Sequence, residues 1–396
     1  MRKFYKFAIA PLAVAGLGLA IMADATVAQA GEEVFIGGAL SLTGIQAPLD
    51  EPTLRGAKVA VKALNDAGGI LGKKVKFVNL DGKSDPTTVA NVTVQLISAG
   101  ADMIIAPCDF DFGGPASREA QSAGLVGIST CASAPAYGSK ALGDKQFTAS
   151  MWNTTMGAAA AEWGLQEKGW KTAYVVTDTF LEYTVTLSQY FIEHLKNLGG
   201  KVLNEDKYTQ GDQDFSAQLA RIQNLSEKPD VIFISSYMPD LGTIIKSIRE
   251  VGITTPIMGG DSYDDPSLFA ALGEAYGNNV WFITHSYMKE GAAPGMGEFL
   301  AKYQEVFGEP PDTAFVAMGW DTVMIMATAA EQAGSIDGAA MAKAMETVTF
   351  DLLSGKLKYT DAADGHDPRK QAALVELQGG KTTFLGWIQP ENPPPP

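Results

Sequence analysis

From Val34 onward the chain repeats one rhythm: a short run of β-branched and apolar residues, a connection rich in Gly, Pro or Asp, then a longer stretch with apolar residues at helical spacing. Strands buried on both faces read as such short continuous runs, and the intervening helices carry the chain back to start a parallel neighbour. This predicts an α/β fold with parallel central sheets. Strands are expected at Val34–Leu40, Val75–Leu80, Met103–Ala106, Val126–Ser129, Ala173–Thr177, Val231–Ser235, Ile257–Gly259, Val280–Thr284 and, after Gly379-Gly380, Thr383–Trp387. Helices are expected between them, among others over Pro52–Ala67, Thr87–Ala99, Pro115–Ala123, Thr155–Lys168, Thr186–Leu198, Leu241–Val251 and Thr313–Ala333. So many strands exceed one open sheet, and 396 residues suffice for two lobes of similar size. Continuity is weakest near Thr148–Asn153, Thr284–Tyr287 and Ala362–Pro368, and three crossings make a multi-strand hinge. The lobes are expected as 31–149 with 286–367, and 150–285 with 368–390, leaving the Pro-rich stretch 391–396 as a frayed tail.

The first thirty residues read as an address. Met1 to Lys6 is basic, Ala8 to Ala23 is almost continuously apolar, and Ala28-Gln29-Ala30 is a small-x-small cleavage pattern, so a secretory signal peptide over 1–30 is expected. The apolar run is too short to span a bilayer. Export places both cysteines in an oxidising compartment, where Cys108 and Cys131 are expected to pair and to stabilise the fold by about 3 kcal/mol. With 46% hydrophobic residues and no block of like charge, disordered and coiled-coil classes are excluded. A formal net charge of −15 repels phosphate backbones, which argues against nucleic acid and anionic membranes as partners.

Enzyme signatures are absent. There is no HExxH, GxSxG or Walker loop, and Gly69-Ile-Leu-Gly72-Lys73-Lys74 has the wrong spacing and no hydroxyl after the lysine, so it reads as a turn. His194, His285 and His366 are too few for a metal site or general-base chemistry, and His194 and His366 are expected in solvated positions. No catalytic residue, metal or cofactor is expected. The Asn91, Asn153 and Asn224 tripeptides match the glycosylation pattern by accident of its permissiveness.

Ligands of open parallel sheets bind at the carboxyl ends of the strands. Here those ends are Leu40–Gly44, Pro107–Phe112, Thr130–Ala134, Asp178–Tyr183, Ser236–Asp240 and Gly260–Tyr263, a mixture of amides, hydroxyls, aromatics and carboxylates that suits a small molecule with a polar end. The runs Ile36-Gly-Gly-Ala-Leu-Ser-Leu-Thr-Gly44, Arg55-Gly-Ala57, Leu64-Asn-Asp-Ala-Gly-Gly-Ile-Leu-Gly-Lys73, Asp81, Asp85-Pro86, Pro115-Ala116, Tyr237-Met-Pro-Asp-Leu-Gly242, Val251-Gly252 and Trp320-Asp321 resemble the type I periplasmic binding proteins of branched-chain amino-acid ABC transporters, over nearly the whole chain beyond residue 30. The resemblance implies two Rossmann-like lobes on a three-strand hinge. It also implies a periplasmic monomer that closes on a small solute, a hydrophobic or branched-chain amino acid, and delivers it to an inner-membrane ABC permease.

Site residues follow from the same resemblance. Met258-Gly-Gly-Asp261 matches the acid that binds the ligand's amino group, with Ser262 beside it. Asp264 and Asp265 are better placed than Asp261 to cap the helix starting at Pro266. Ala132 and Ser133 match the pair whose amide and hydroxyl hold the carboxylate, and Tyr237 and Tyr183 match aromatic cleft positions. The family's carboxylate-binding serine is missing. Cys108-Asp-Phe-Asp-Phe-Gly-Gly-Pro115 stands there, placing Phe110 near its position and Asp111 beside it. Asp109 and Asp111 would repel a ligand carboxylate unless they point to solvent or cap the following helix. The alternatives are therefore an aromatic acid, an amide or an amine as ligand, or a sensor acting through a separate membrane partner.

Overall fold

A computed structural model of the chain describes residues 33–212 and 214–396; the leader expected over 1–30 lies outside them. Two main sheets form. The first uses β1 (Val34–Gly38), β2 (Val75–Asn79), β3 (Met103–Ala106), β4 (Val126–Ser129) and β5 (Gln146–Thr148), all parallel, in the order β2-β1-β3-β4-β5. The second uses β6 (Thr172–Asp178), β7 (Lys201–Tyr208), β8 (Val231–Ser235), β9 (Ile257–Gly259) and β10 (Val280–Thr284). A short three-stranded antiparallel sheet follows: β11 (Phe350–Leu352), β12 (Gly355–Tyr359) and β13 (Pro368–Lys370). The chain then returns to the second sheet as the antiparallel pair β14 (Ala372–Gln378) and β15 (Lys381–Ile388), giving the order β15-β14-β10-β9-β8-β6-β7.

The central strands were legible because each is a buried apolar run; β1, β3, β4, β8, β9 and β10 are buried along their whole length. Helix starts are equally local. Asp85 accepts from the Thr88 amide at 2.7 Å ahead of Pro86–Ser98, and Asp265 accepts from the Ser267 amide at 2.7 Å ahead of Pro266–Tyr276. The helices Ala47–Ala67 and Phe315–Ala333 cross at Gly56 and Gly319, where a Cβ on either would run into a carbonyl of the other helix, at Val316 or Thr53. Two glycines thereby let these helices approach backbone to backbone.

Three passages join the sheets: after β5, after β10, and at Gln371 between β13 and β14. All three are tied to one turn, Leu353-Ser354. Ser286 Oγ donates to the Leu353 carbonyl at 2.7 Å, and the buried Lys370 ammonium donates to Ser354 Oγ and, at 2.8 Å, to the Ala149 carbonyl. Asp321 anchors the turn by accepting from the Leu353 and Ser354 amides at 2.9 and 3.0 Å and from the Ser354 hydroxyl. Burial pushes Lys370 down to about 8.

Two expectations fail. His194 and His366 are buried, not solvated: His194 Nε2 pairs with Glu162 at 2.9 Å, and His366 stacks on Phe147 with centroids 4.0 Å apart while facing Glu346 at 3.3 Å. Each imidazole has a carboxylate and an aromatic or helical wall, partners that lie far away in sequence. The tail 391–396 does not simply fray, because the Glu391 amide donates to both oxygens of Glu162 at 2.8 and 2.9 Å and Pro394 is buried.

Candidate ligand-binding seam

In each sheet the strand order reverses once, between β1 and β3 and between β6 and β8. Loops leaving neighbouring strands at such a point diverge to opposite faces of the sheet and open a crevice. The side chains just beyond these four strand ends meet across the molecule. Gln46 follows β1, Asp109 follows β3, Tyr183 follows β6 and Tyr237 follows β8. Asp109 Oδ2 accepts from Gln46 Nε2 at 2.7 Å and from the Tyr237 hydroxyl at 2.8 Å. The Tyr237 ring contacts the Tyr183 ring edge-on with centroids 5.3 Å apart, and the Tyr183 hydroxyl bonds Ser262 at 3.3 Å. Ser262 in turn donates to the Ser236 carbonyl at 2.7 Å, and neighbouring Asp261 meets His285 Nε2 at 2.7 Å. A second link runs from the Glu182 amide to Asp111 at 3.0 Å.

Of the residues singled out from sequence, Tyr183, Tyr237, Asp261 and Ser262 form one buried cluster on the second sheet's side. Asp111 and Phe110 are half-buried at the start of the helix Phe110–Ser122, with the Phe110 ring edge-on to Tyr137 at 6.5 Å and under the Arg118 guanidinium. Ala132 and Ser133 are fully buried and reach the cluster through Asn153, whose amide donates to the Ser133 carbonyl at 2.6 Å and whose Nδ2 donates to the Tyr183 carbonyl at 2.9 Å. The Ala132 amide is already taken by Ser129 Oγ at 3.1 Å, whereas Ser133 Oγ has no partner within the protein. Cys108 and Cys131 are joined as a disulfide, which ties the loop after β3 to the loop after β4.

Asp109 neither points to solvent nor caps the helix that follows. It is 1% exposed, makes no side-chain cap bond, and turns inward from a backbone at φ 63°, ψ 145°, a conformation an L residue holds only when its surroundings impose it. Burial pushes its carboxyl up to about 7 against the opposing hydrogen bonds from Tyr237 and Gln46, and the nearby acids Asp261 and Asp111 add to the rise. Behind it Asp50, accepting from the Ser41 and Cys108 amides at 2.8 and 3.0 Å, is pushed up by burial to about 8. Gln46, Asn153 and His285 are the seam residues that sequence reasoning left out, and Asp109 is one it considered but did not assign to the site. A usable signal existed for Asp109 and His285, which stand within three residues of a strand's carboxyl end.

A family model described as periplasmic binding protein matches residues 33–382. The chain belongs to the periplasmic binding protein family. Among curated members it is 27% identical over 374 residues to the Leu/Ile/Val-binding protein homolog 1 of Brucella melitensis, covering 92% of this chain and 94% of that one. Among solved structures it matches a leucine binding protein from Thermotoga maritima with a TM-score of 0.80 at 28% identity, covering 90% of this chain and 99% of that one. It also matches, with a TM-score of 0.77 at 24% identity over 91% of this chain and 99% of that one, an ABC transporter solute binding protein from R. palustris in complex with benzoate. By its family this protein is a periplasmic binding protein and not an enzyme. No helix among the described residues is long and apolar enough to cross a membrane.

Proposed function

We propose that this protein captures a small organic solute carrying a nitrogen donor in the seam between the two sheets, and that closure of the halves presents it to a membrane permease. The lobes are those expected from the sequence, 31–149 with 286–367 and 150–285 with 368–390, except that Pro368–Lys370 stays with the first lobe and the third crossing falls at Gln371. They move about their three connections, and the protein acts as a periplasmic monomer after removal of residues 1–30. The observation that carries this reading is the junction itself. Four side chains from the switch points of two separate sheets, Gln46, Asp109, Tyr183 and Tyr237, converge there beside Asp261. In this arrangement Asp261 takes the solute's amino group as a charge-assisted hydrogen bond, Tyr183 and Tyr237 supply flat apolar walls, and Ser133 offers its free hydroxyl. Phe110, Asp111, Ala132 and Ser262 line or brace the same space.

The names of the relatives make hydrophobic amino acids the first solutes to test. A thermal-shift panel of amino acids, aromatic acids, amides and amines checks the reading, since a solute that binds the folded form raises the midpoint with concentration. A panel-wide absence of shift, or hydrolysis or oxidation of any compound, overturns it.

A further inference from the structure

We propose that the seam selects a ligand whose polar end is rich in N–H donors and carries no carboxylate, an amine or an amide rather than a free α-amino acid. The inference rests on the seam being the solute site and narrows what enters it. A carboxylate already occupies that site, because Asp109 supplies one from the protein. Four donors that could greet a ligand carboxylate are committed, Gln46 Nε2 and the Tyr237 hydroxyl to Asp109, the Ala132 amide to Ser129, and the Tyr183 hydroxyl to Ser262, leaving the Ser133 hydroxyl free.

What remains unpaired is a set of acceptors. Gln46 Oε1 and Asn153 Oδ1 are buried without a partner within the protein, on side chains that are both fully buried. Their identities as acceptors follow from the bonds at their other ends. Gln46 must turn its Nε2 to Asp109, and Asn153 turns its Nδ2 to the Tyr183 carbonyl and, at 2.8 Å, to Thr186 Oγ1. Ser133 Oγ, also unpaired, serves either way. A buried acceptor left empty is a standing penalty that a donor relieves and a second carboxylate deepens. The acids around Asp109 are Asp261, Asp111 and, behind it, Asp50, so a ligand carboxylate would add one more acid to a dry, acid-lined site while an ammonium or amide NH₂ would give these oxygens a donor.

The test is isothermal titration of the purified full-length protein with two matched series: leucine, leucinamide, 3-methylbutylamine and 4-methylpentanoate, and their phenylalanine counterparts. In the series that fits the pocket, the amide or the amine is expected to bind at least about tenfold tighter than the amino acid, and the acid not at all. Comparing the amide with the amine separates neutral donors from a cation. Asp109→Asn keeps an oxygen acceptor for Gln46 and Tyr237, and is expected to shrink that preference; the wild-type ranking alone decides the matter should this variant not fold. An amino acid that binds as tightly as its amide, and loses that binding on Asp261→Asn, overturns this proposal while leaving the seam as the solute site. Binding that ignores both substitutions, or none with either series, overturns both.

Discussion

The two faces of the seam are made rigid by different means. On the first sheet's side the loops after β3 and β4 are cross-linked by Cys108–Cys131, and Asp50 pins the loop start by accepting from the Cys108 amide. On the second sheet's side the corresponding loops carry no cross-link; they are held by hydroxyls, Tyr183 to Ser262, Ser262 to Ser236, and Tyr263 to the Ile234 carbonyl at 3.0 Å. A covalent loop keeps its shape whether or not a ligand is present, whereas a chain of side-chain hydrogen bonds is settled by what it meets. The first face is therefore the template and the second the adjustable part, and Asp261, proposed above to take the solute's nitrogen, lies on the adjustable one.

The strongest way to break this comparison is Asp261→Ala. Truncating a buried charged partner should weaken an amine-bearing ligand by about 2–5 kcal/mol, read as loss of the calorimetric signal. Retained affinity would place the solute's nitrogen on the first face instead. Next in size, replacing both Cys108 and Cys131 by Ser should lower the unfolding free energy by about 3 kcal/mol in urea titrations. If the first face is held in shape mainly by the rest of its fold, affinity should move less than stability; an equal fall would mean the disulfide chiefly shapes the site.

Acid chemistry sharpens the same contrast. Asp50 and Asp109 bind protons more tightly folded, with values raised to about 8 and about 7 from an unfolded 3.8. Their contribution to stability is complete below the unfolded value and is lost as pH rises through the folded ones, so the ligand-free protein should lose on the order of 2 kcal/mol or more between pH 5 and pH 8. Asp109→Asn should flatten that slope, measured as urea midpoints at the two pH values; an unaltered slope would show that Asp109 ionises freely. The smallest effect is expected from Tyr237→Phe, which leaves Asp109 with Gln46 alone and should weaken solute binding by about 1 kcal/mol. A larger loss would make the Tyr237 hydroxyl a direct ligand contact.

How far the sequence could be read follows from locality. Val231–Ser235 and Val280–Thr284 declare themselves by composition, and Asp85 and Asp265 by the prolines they precede. The edge strand Lys201–Tyr208 hides because an edge carries charge to discourage pairing with other chains. Ala372–Gln378, rich in Ala, Leu and Glu, has a helical composition and becomes a strand only because β10 and β15 flank it. The seam divides likewise. Asp261 and Tyr237 stand at recognisable strand ends, but the inward turn of Asp109 depends on Gln46 and Tyr237, 63 and 128 residues away. Whether a carboxylate beside a strand faces water or its neighbours is decided by contacts that no local window contains.

One turn of two residues, Leu353-Ser354, grips every connection between the halves, with Lys370, Ser286 and Asp321 as its fastenings. A door hung on three independent leaves can sag or skew, but one whose leaves share a single pin can only swing. Under the proposed closure, a permease docking onto both halves would therefore read one angle, and the message about occupancy would be a single scalar.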